Sequence, residues 1–184
     1  MVRLYIAVSL LMLALRAQPA GIGDGSILKP LSVCMLLQGL ETYNGRIVVV
    51  RGLVRSTSEG AWLIGEQCNP LITKGFVWPS AIALVSPGNP DALHEADFQP
   101  DSNAIAKVME KVKNMAPDPL KDRIILTYVG LFETRERLDG YIGKDANDKP
   151  RGIGFGHLNA APAQIQVKNA SDPYVDRGTK PKHE

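Results

Sequence analysis

The sequence predicts one mainly β domain of the α+β class, a five-stranded, partly open barrel with a helix between strands three and four. Three observations support it. The 184-residue chain has 45% hydrophobic residues, which suits a single domain rather than two. Five short segments have strand character, and one amphipathic segment separates the third from the fourth. Glycines interrupt the first and fourth segments, where the strands of a small barrel must bend.

The first three predicted strands precede the helix. Residues 46–54 are dense in β-branched side chains, and Gly52 within them indicates a bulge or bend. Residues 61–66 follow a polar turn and form a hairpin with the first strand. Trp62 on this second strand is interpreted as a core residue. Residues 82–85 form a short third strand, which a segment rich in Pro and Gly ends.

Two helical segments are predicted. Residues 32–40 form a short helical turn before the first strand, with apolar side chains on one side and Ser32 as the N-cap. Residues 101–115 form the helix between strands three and four, because their apolar side chains recur at helical spacing. Asp101 or Ser102 can cap its first turn.

Two strands follow the helix. Residues 123–133 form the fourth, with Gly130 at a second bend, and residues 157–168 contain the fifth. Apolar and polar side chains alternate in the fifth strand, so Gln164 and Gln166 are expected on a solvent-exposed face. This order of strands resembles an OB-fold, and the resemblance spans residues 46–168.

The first twenty residues have the layout of a secretory signal peptide, with cleavage after Ala17 or Ala20. Their apolar run would reach about 18 Å as a helix, short of the bilayer core of about 30 Å. An uncleaved membrane anchor is the alternative. Residues 21–31 are interpreted as a linker, residues 32–168 as the barrel domain and residues 169–184 as a flexible tail.

The charge balance opposes a polyanionic partner. The chain has 21 basic and 19 acidic residues, and removal of Arg3 and Arg16 with the leader equalises them. Nucleic acid is therefore an unfavoured ligand. No later stretch approaches eighteen apolar residues, so we expect no stable membrane span after cleavage, and a periplasmic or secreted location.

The two cysteines, Cys34 and Cys68, are expected to form a disulfide, because exported proteins commonly oxidise such pairs. Two free thiols are one alternative. A metal site is the other, although the three histidines show no ligand spacing. No metal or other cofactor is predicted.

A set of local motifs resembles an uncharacterised family of small exported bacterial proteins. The resemblance implies a bacterial cell envelope and no particular activity. The motifs that carry it are Cys34, Tyr43-Asn44-Gly45, Val50-Arg51-Gly52, Gly154-Phe155-Gly156-His157-Leu158 and Pro162-Ala163-Gln164-Ile165.

Five residues are candidates for ligand binding. Lys74, Phe76 and Trp78 place a cation beside two aromatic rings, and Arg51 can join them on one face of the barrel. The alternative is that the two aromatics only cover the core. His157 lies between a glycine-rich loop and the last strand, so it can sit at the barrel mouth or hold the loop by a hydrogen bond.

No catalytic signature is present in the sequence. The favoured interpretation is an exported, non-enzymatic binding module for an envelope protein, an oligosaccharide or a small ligand. One alternative is an OB domain that binds nucleic acid. Another is a hydrolase that uses His157 with a nearby carboxylate such as Glu133. The last alternative is a purely structural role without a ligand.

Overall fold

The computed structural model describes residues 29–73, 75–118, 121–135, 141–144, 150–152 and 154–178. The predicted signal peptide, Lys74 and most of the linker lie outside them. The described residues form these elements in chain order: β1 (Leu31–Ser32), α1 (Val33–Gln38), α2 (Leu40–Tyr43), β2 (Arg46–Thr57), β3 (Gly60–Ile64), β4 (Leu71–Thr73), β5 (Phe76–Trp78), β6 (Ala81–Val85), α3 (Ser102–Asn114), β7 (Arg123–Thr134), β8 (Tyr141–Lys144), β9 (Pro150–Gly152), a 3-10 turn (His157–Asn159) and β10 (Ala163–Asp176).

Five of the strands close into a barrel, which confirms the predicted fold class. β2 pairs with β3, β3 with β6, β6 with β10, β10 with β7, and β7 again with β2. The β6–β10 pair is parallel and the other four are antiparallel. Every step of the ring is paired, so the barrel is closed where the sequence suggests a partly open one. The short β1 adds to β2 in parallel.

The bends fall near the predicted glycines. β2 pairs with β7 up to Leu53 and with β3 from Leu53 onward, so the strand changes partner beside Gly52. Gly130 lies on β7 opposite Val167, next to an irregularity in β10. A Cβ atom at Gly130 would overlap the backbone carbonyl of Gln166. Only glycine therefore allows the two strands to approach this closely.

The barrel interior and two helices form one core. α1 begins after its cap Ser32, whose hydroxyl accepts from the Met35 amide at 3.1 Å, and α3 begins after the cap Asp101. Both helices bury apolar side chains against the strands. Buried members of this core include Leu36, Leu37, Val50, Leu63, Ile82, Val108, Val112, Leu126, Phe132 and Ile165.

The last strand is longer than the sequence indicates. β10 continues to Asp176, so residues 169–176 pair with β7 instead of belonging to the predicted tail. Two register shifts, one between Val167 and Asn169 and one between Ser171 and Tyr174, break the alternation that would have revealed it. The hairpins β4–β5 and β8–β9 lie in connections for which the sequence predicts no strand. Their strands are too short to produce a period-two pattern.

Cys34 and Cys68 form the predicted disulfide, with Cα atoms 5.1 Å apart. It joins the first turn of α1 to the segment that follows β3, so the helix is held against the barrel wall. No helix within the described ranges is both long and apolar enough to cross a bilayer.

Removal of the disulfide should destabilise the barrel without changing its topology. The bonded cysteines are 34 positions apart. Closing a loop of this length lowers the entropy of the unfolded chain. We therefore expect the free energy of unfolding to be roughly 4 kcal/mol lower in the Cys34→Ser/Cys68→Ser variant. Urea unfolding followed by circular dichroism measures the loss. The reduced wild type is the control and should match the variant. Equal midpoints for oxidised and reduced protein would contradict the assignment.

Candidate functional site

The predicted aromatic pair covers the core. Trp78 is only 2% exposed, and its indole N–H donates to Thr73 Oγ1 at 2.7 Å. The rings of Phe76 and Trp78 pack edge to face, with their centroids 4.7 Å apart. Trp78 therefore presents no face to a ligand, in agreement with the alternative considered from the sequence. Lys74 beside them lies outside the described residues.

Arg51 is held by the sheet. Its Nη1 donates to Thr127 Oγ1 at 2.9 Å and to the carbonyl of Asp172 at 3.1 Å. Asp172 has a φ of 51° and lies at the second register shift of β10, so the guanidinium stabilises an irregular strand. Arg51 also lines a cleft of about 410 Å³ beside Cys34. His157 lines a different cleft, so among the described candidates Arg51 and His157 do not share one groove.

The cleft that contains His157 is the best candidate site. Its volume is about 580 Å³. Its floor is the outer face of β3 and β6, including Trp62 and Ala83. One wall is the β2–β3 turn with Glu59, another is the 3-10 turn with His157, and the third is the segment that follows β6, including Asp91.

Trp62 is the aromatic residue of this cleft. It is half-buried and packs against Ala83, Phe155 and Ala161 on the outside of the barrel. Trp62 thus packs against a second, outer core cluster that is separate from the barrel interior. Gly156 approaches its N–H edge closely, since a Cβ there would lie 3.5 Å from Nε1. The Trp62 indole N–H has no hydrogen-bond partner among the described residues.

Glu59 and His157 face each other across the cleft. Glu59 Oε2 lies 3.3 Å from His157 Nε2, and their side chains are 56% and 39% exposed. A pair as exposed as this contributes little to stability. Both groups can therefore exchange their mutual contact for contacts to a ligand. Glu133, which the sequence suggested as a carboxylate near His157, does not line this cleft and contacts His94 and Gln164 instead.

Glu133 is fully buried on the outside of the barrel and holds the connection that follows β6, here called the covering segment (residues 86–101). Its Oε1 accepts from the amides of Leu93 at 3.0 Å and His94 at 2.7 Å, and lies 3.2 Å from His94 Nδ1. Its Oε2 accepts from Gln164 Nε2 at 2.7 Å. Several donors thus offset the cost of burying a carboxylate.

Two glutamines of β10 extend this network. Gln164 Nε2 also donates to the carbonyl of Asp91 at 3.2 Å, and Gln166 Nε2 donates to the carbonyl of His94 at 2.7 Å. Both side chains are fully buried, so the predicted solvent-exposed face is wrong. The covering segment lies over that face. Because Asp91 lines the cleft, the network fixes the position of one cleft wall.

The titratable residues of the structure determine which ions and charged groups the site can bind. No group of three or more His, Cys, Asp or Glu residues within the described ranges could hold a metal ion. Burial raises the pKa of Tyr128 in the barrel interior, so its hydroxyl stays protonated and neutral. The cleft is lined by the carboxylates of Glu59 and Asp91 and by His157, and no Lys or Arg is among its described lining residues.

The fold and the cleft define an OB-like barrel with a depression on its second and third strands. OB-folds bind their ligands on this face, between the loops that follow the first and fourth strands. Here those loops carry Glu59 and His157. The chain matches no protein-family model, no curated protein and no solved structure.

Replacement of Glu133 by glutamine should loosen the covering segment. The substitution replaces one acceptor oxygen by an NH2 group, which then faces other N–H donors. We expect this to destabilise the covering segment by about 2 kcal/mol. Amide exchange of Leu93 and His94 should accelerate about tenfold or more, whereas that of Leu126 in the barrel should change far less.

Hydrogen exchange followed by NMR measures these rates residue by residue. Glu110→Gln is the matched control, because Glu110 is an exposed carboxylate on α3. Unchanged protection of Leu93 and His94 in the Glu133→Gln variant would show that the carboxylate does not hold the segment.

Proposed function

We propose that the chain is an exported, non-enzymatic binding module whose ligand lies in the Trp62 cleft. The ligand is an envelope protein, an oligosaccharide or a small molecule. The observation that carries the proposal is the half-buried indole on the floor of a 580 Å³ cleft, on the barrel face used by OB-folds. A volume of this size falls within the range of about 300–1,000 Å³ typical of small-ligand sites.

The charges of the cleft favour this proposal over nucleic-acid binding. Glu59 and Asp91 would repel phosphates, and no described lining residue supplies a compensating Lys or Arg. Affinity for nucleic acid depends chiefly on basic side chains that neutralise phosphates. A titration with single-stranded DNA at low salt separates the two interpretations.

A hydrolase is the second candidate, and the contact between His157 and Glu59 is the observation in its favour. The pair is open to solvent, however, whereas acid–base groups are commonly tuned by burial. If the pair were catalytic, His157→Ala would abolish turnover of a substrate that the wild type hydrolyses. Ligand binding without turnover supports the binding module.

The disulfide, the apolar leader and the resemblance to small exported bacterial proteins support export to the cell envelope. When the full chain is expressed in a bacterium, we expect the mature protein in the periplasmic fraction or the medium. N-terminal sequencing should show a start at Gln18 or Gly21. Intact chains that retain the leader in the membrane fraction would instead indicate an anchor.

The Trp62→Ala variant should lose ligand binding and keep its fold. The probe is the soluble fraction of a bacterial envelope extract, added to isotope-labelled protein. We expect the amide resonances of Ala83, Gly88 and Gly156 to shift most when the wild type binds. The affinity of the variant should be about tenfold lower, because aromatic stacking contributes about 1–3 kcal/mol per ring to the binding free energy. Tyr174→Ala removes a more exposed aromatic residue, 53% exposed, that lies outside the cleft, and it should behave as wild type. Shifts that appear elsewhere, or persist in Trp62→Ala, would refute the site.

A further inference from the structure

We infer that the ligand of the Trp62 cleft is an oligosaccharide, with one sugar ring stacked on the indole and its hydroxyls bound by the cleft walls. This inference rests on the proposed binding function and names the class of ligand. Three features of the cleft carry it: its strands have no open edge, its aromatic residue is held rigidly, and its walls offer both donors and acceptors.

The floor of the cleft cannot take a peptide by strand addition. β3 is paired with β2 along one edge and with β6 along the other. β6 is paired with β3 and with β10. An extended peptide that adds to a sheet requires a strand with unpaired backbone groups. Within the described residues the cleft floor has no such strand, so recognition there must use side chains and loops.

The indole of Trp62 is partly buried and lines the cleft. Ala83, Phe155 and Ala161 pack against it, and Gly156 lies at its N–H edge. A rigid aromatic ring loses little conformational freedom when a ligand binds. The flat face of a pyranose carries C–H groups and is a suitable partner for such a ring.

The cleft walls suit a ligand that both donates and accepts hydrogen bonds. Glu59 and Asp91 supply acceptors, and the Trp62 N–H is a donor with no partner among the described residues. His157 can serve in either role. Sugar hydroxyls donate and accept, so each of these groups can be satisfied. A wholly apolar ligand would leave them desolvated without partners, at a cost in affinity.

Chemical treatment of the active envelope extract tests the class of ligand directly. Periodate cleaves vicinal diols of sugars, protease destroys proteins and peptides, and nuclease destroys nucleic acids; each reagent is removed before the titration. We expect the amide shifts at Ala83, Gly88 and Gly156 to disappear after periodate and to survive protease and nuclease. Loss after protease with survival after periodate would overturn the inference and leave the binding function intact. An untreated extract that shifts no cleft amide would overturn both.

Variants at Trp62 and Glu59 test the geometry with an array of bacterial envelope oligosaccharides. A glycan found on the array should bind Trp62→Phe within about threefold of wild type and Trp62→Leu at least about tenfold more weakly, because phenylalanine keeps an aromatic face. Glu59→Gln should weaken binding several-fold, and the exposed control Glu110→Gln should not. Equal affinity of the Phe and Leu variants would overturn stacking. An array without binders, together with a protease-sensitive extract, would assign the cleft to a protein ligand.

Discussion

The structure depends on one strand that closes the ring. β10 pairs in parallel with β6 and antiparallel with β7, and without it β6 and β7 would be the edges of an open four-stranded sheet. The close approach at Gly130 allows this closure. The interior of the barrel is filled by apolar side chains. The cleft proposed as the binding site lies instead on the outer face, between the loops.

The buried carboxylate of Glu133 determines the shape of that outer face. Burial of a charge is costly unless donors surround it, and here donors come from Leu93, His94 and Gln164. The covering segment would otherwise be a long polar connection with no reason to adopt one path. Its fixed path supplies a wall to the Trp62 cleft. Glu133, which does not line the cleft, thus controls the geometry of the proposed binding site.

Local patterns were sufficient to predict the barrel, and they failed where a distant segment decides burial. The five barrel strands, α3 and the cysteine pair follow from periodicity, capping residues and compartment, all of which are readable within short windows. Gln164 and Gln166 were expected in solvent because their alternation with apolar residues is typical of a half-exposed strand. Their burial is caused by a segment some seventy positions earlier, which no local pattern can reveal. The register shifts of β10 concealed its last eight residues in the same way.

The same reasoning explains why the sequence favoured Trp78 as the candidate aromatic residue, whereas the cleft proposed here contains Trp62. Trp78 attracted attention because a cation and a second ring adjoin it in sequence, but adjacency within one hairpin indicates only that the residues share a short loop. Trp62 has no such neighbours, and Glu59, Asp91 and His157 line the same cleft from three different connections of the barrel. A site of this kind is created by the topology. Its affinity should therefore respond to changes in barrel closure and in the Glu133 network as well as to changes in the residues that touch the ligand.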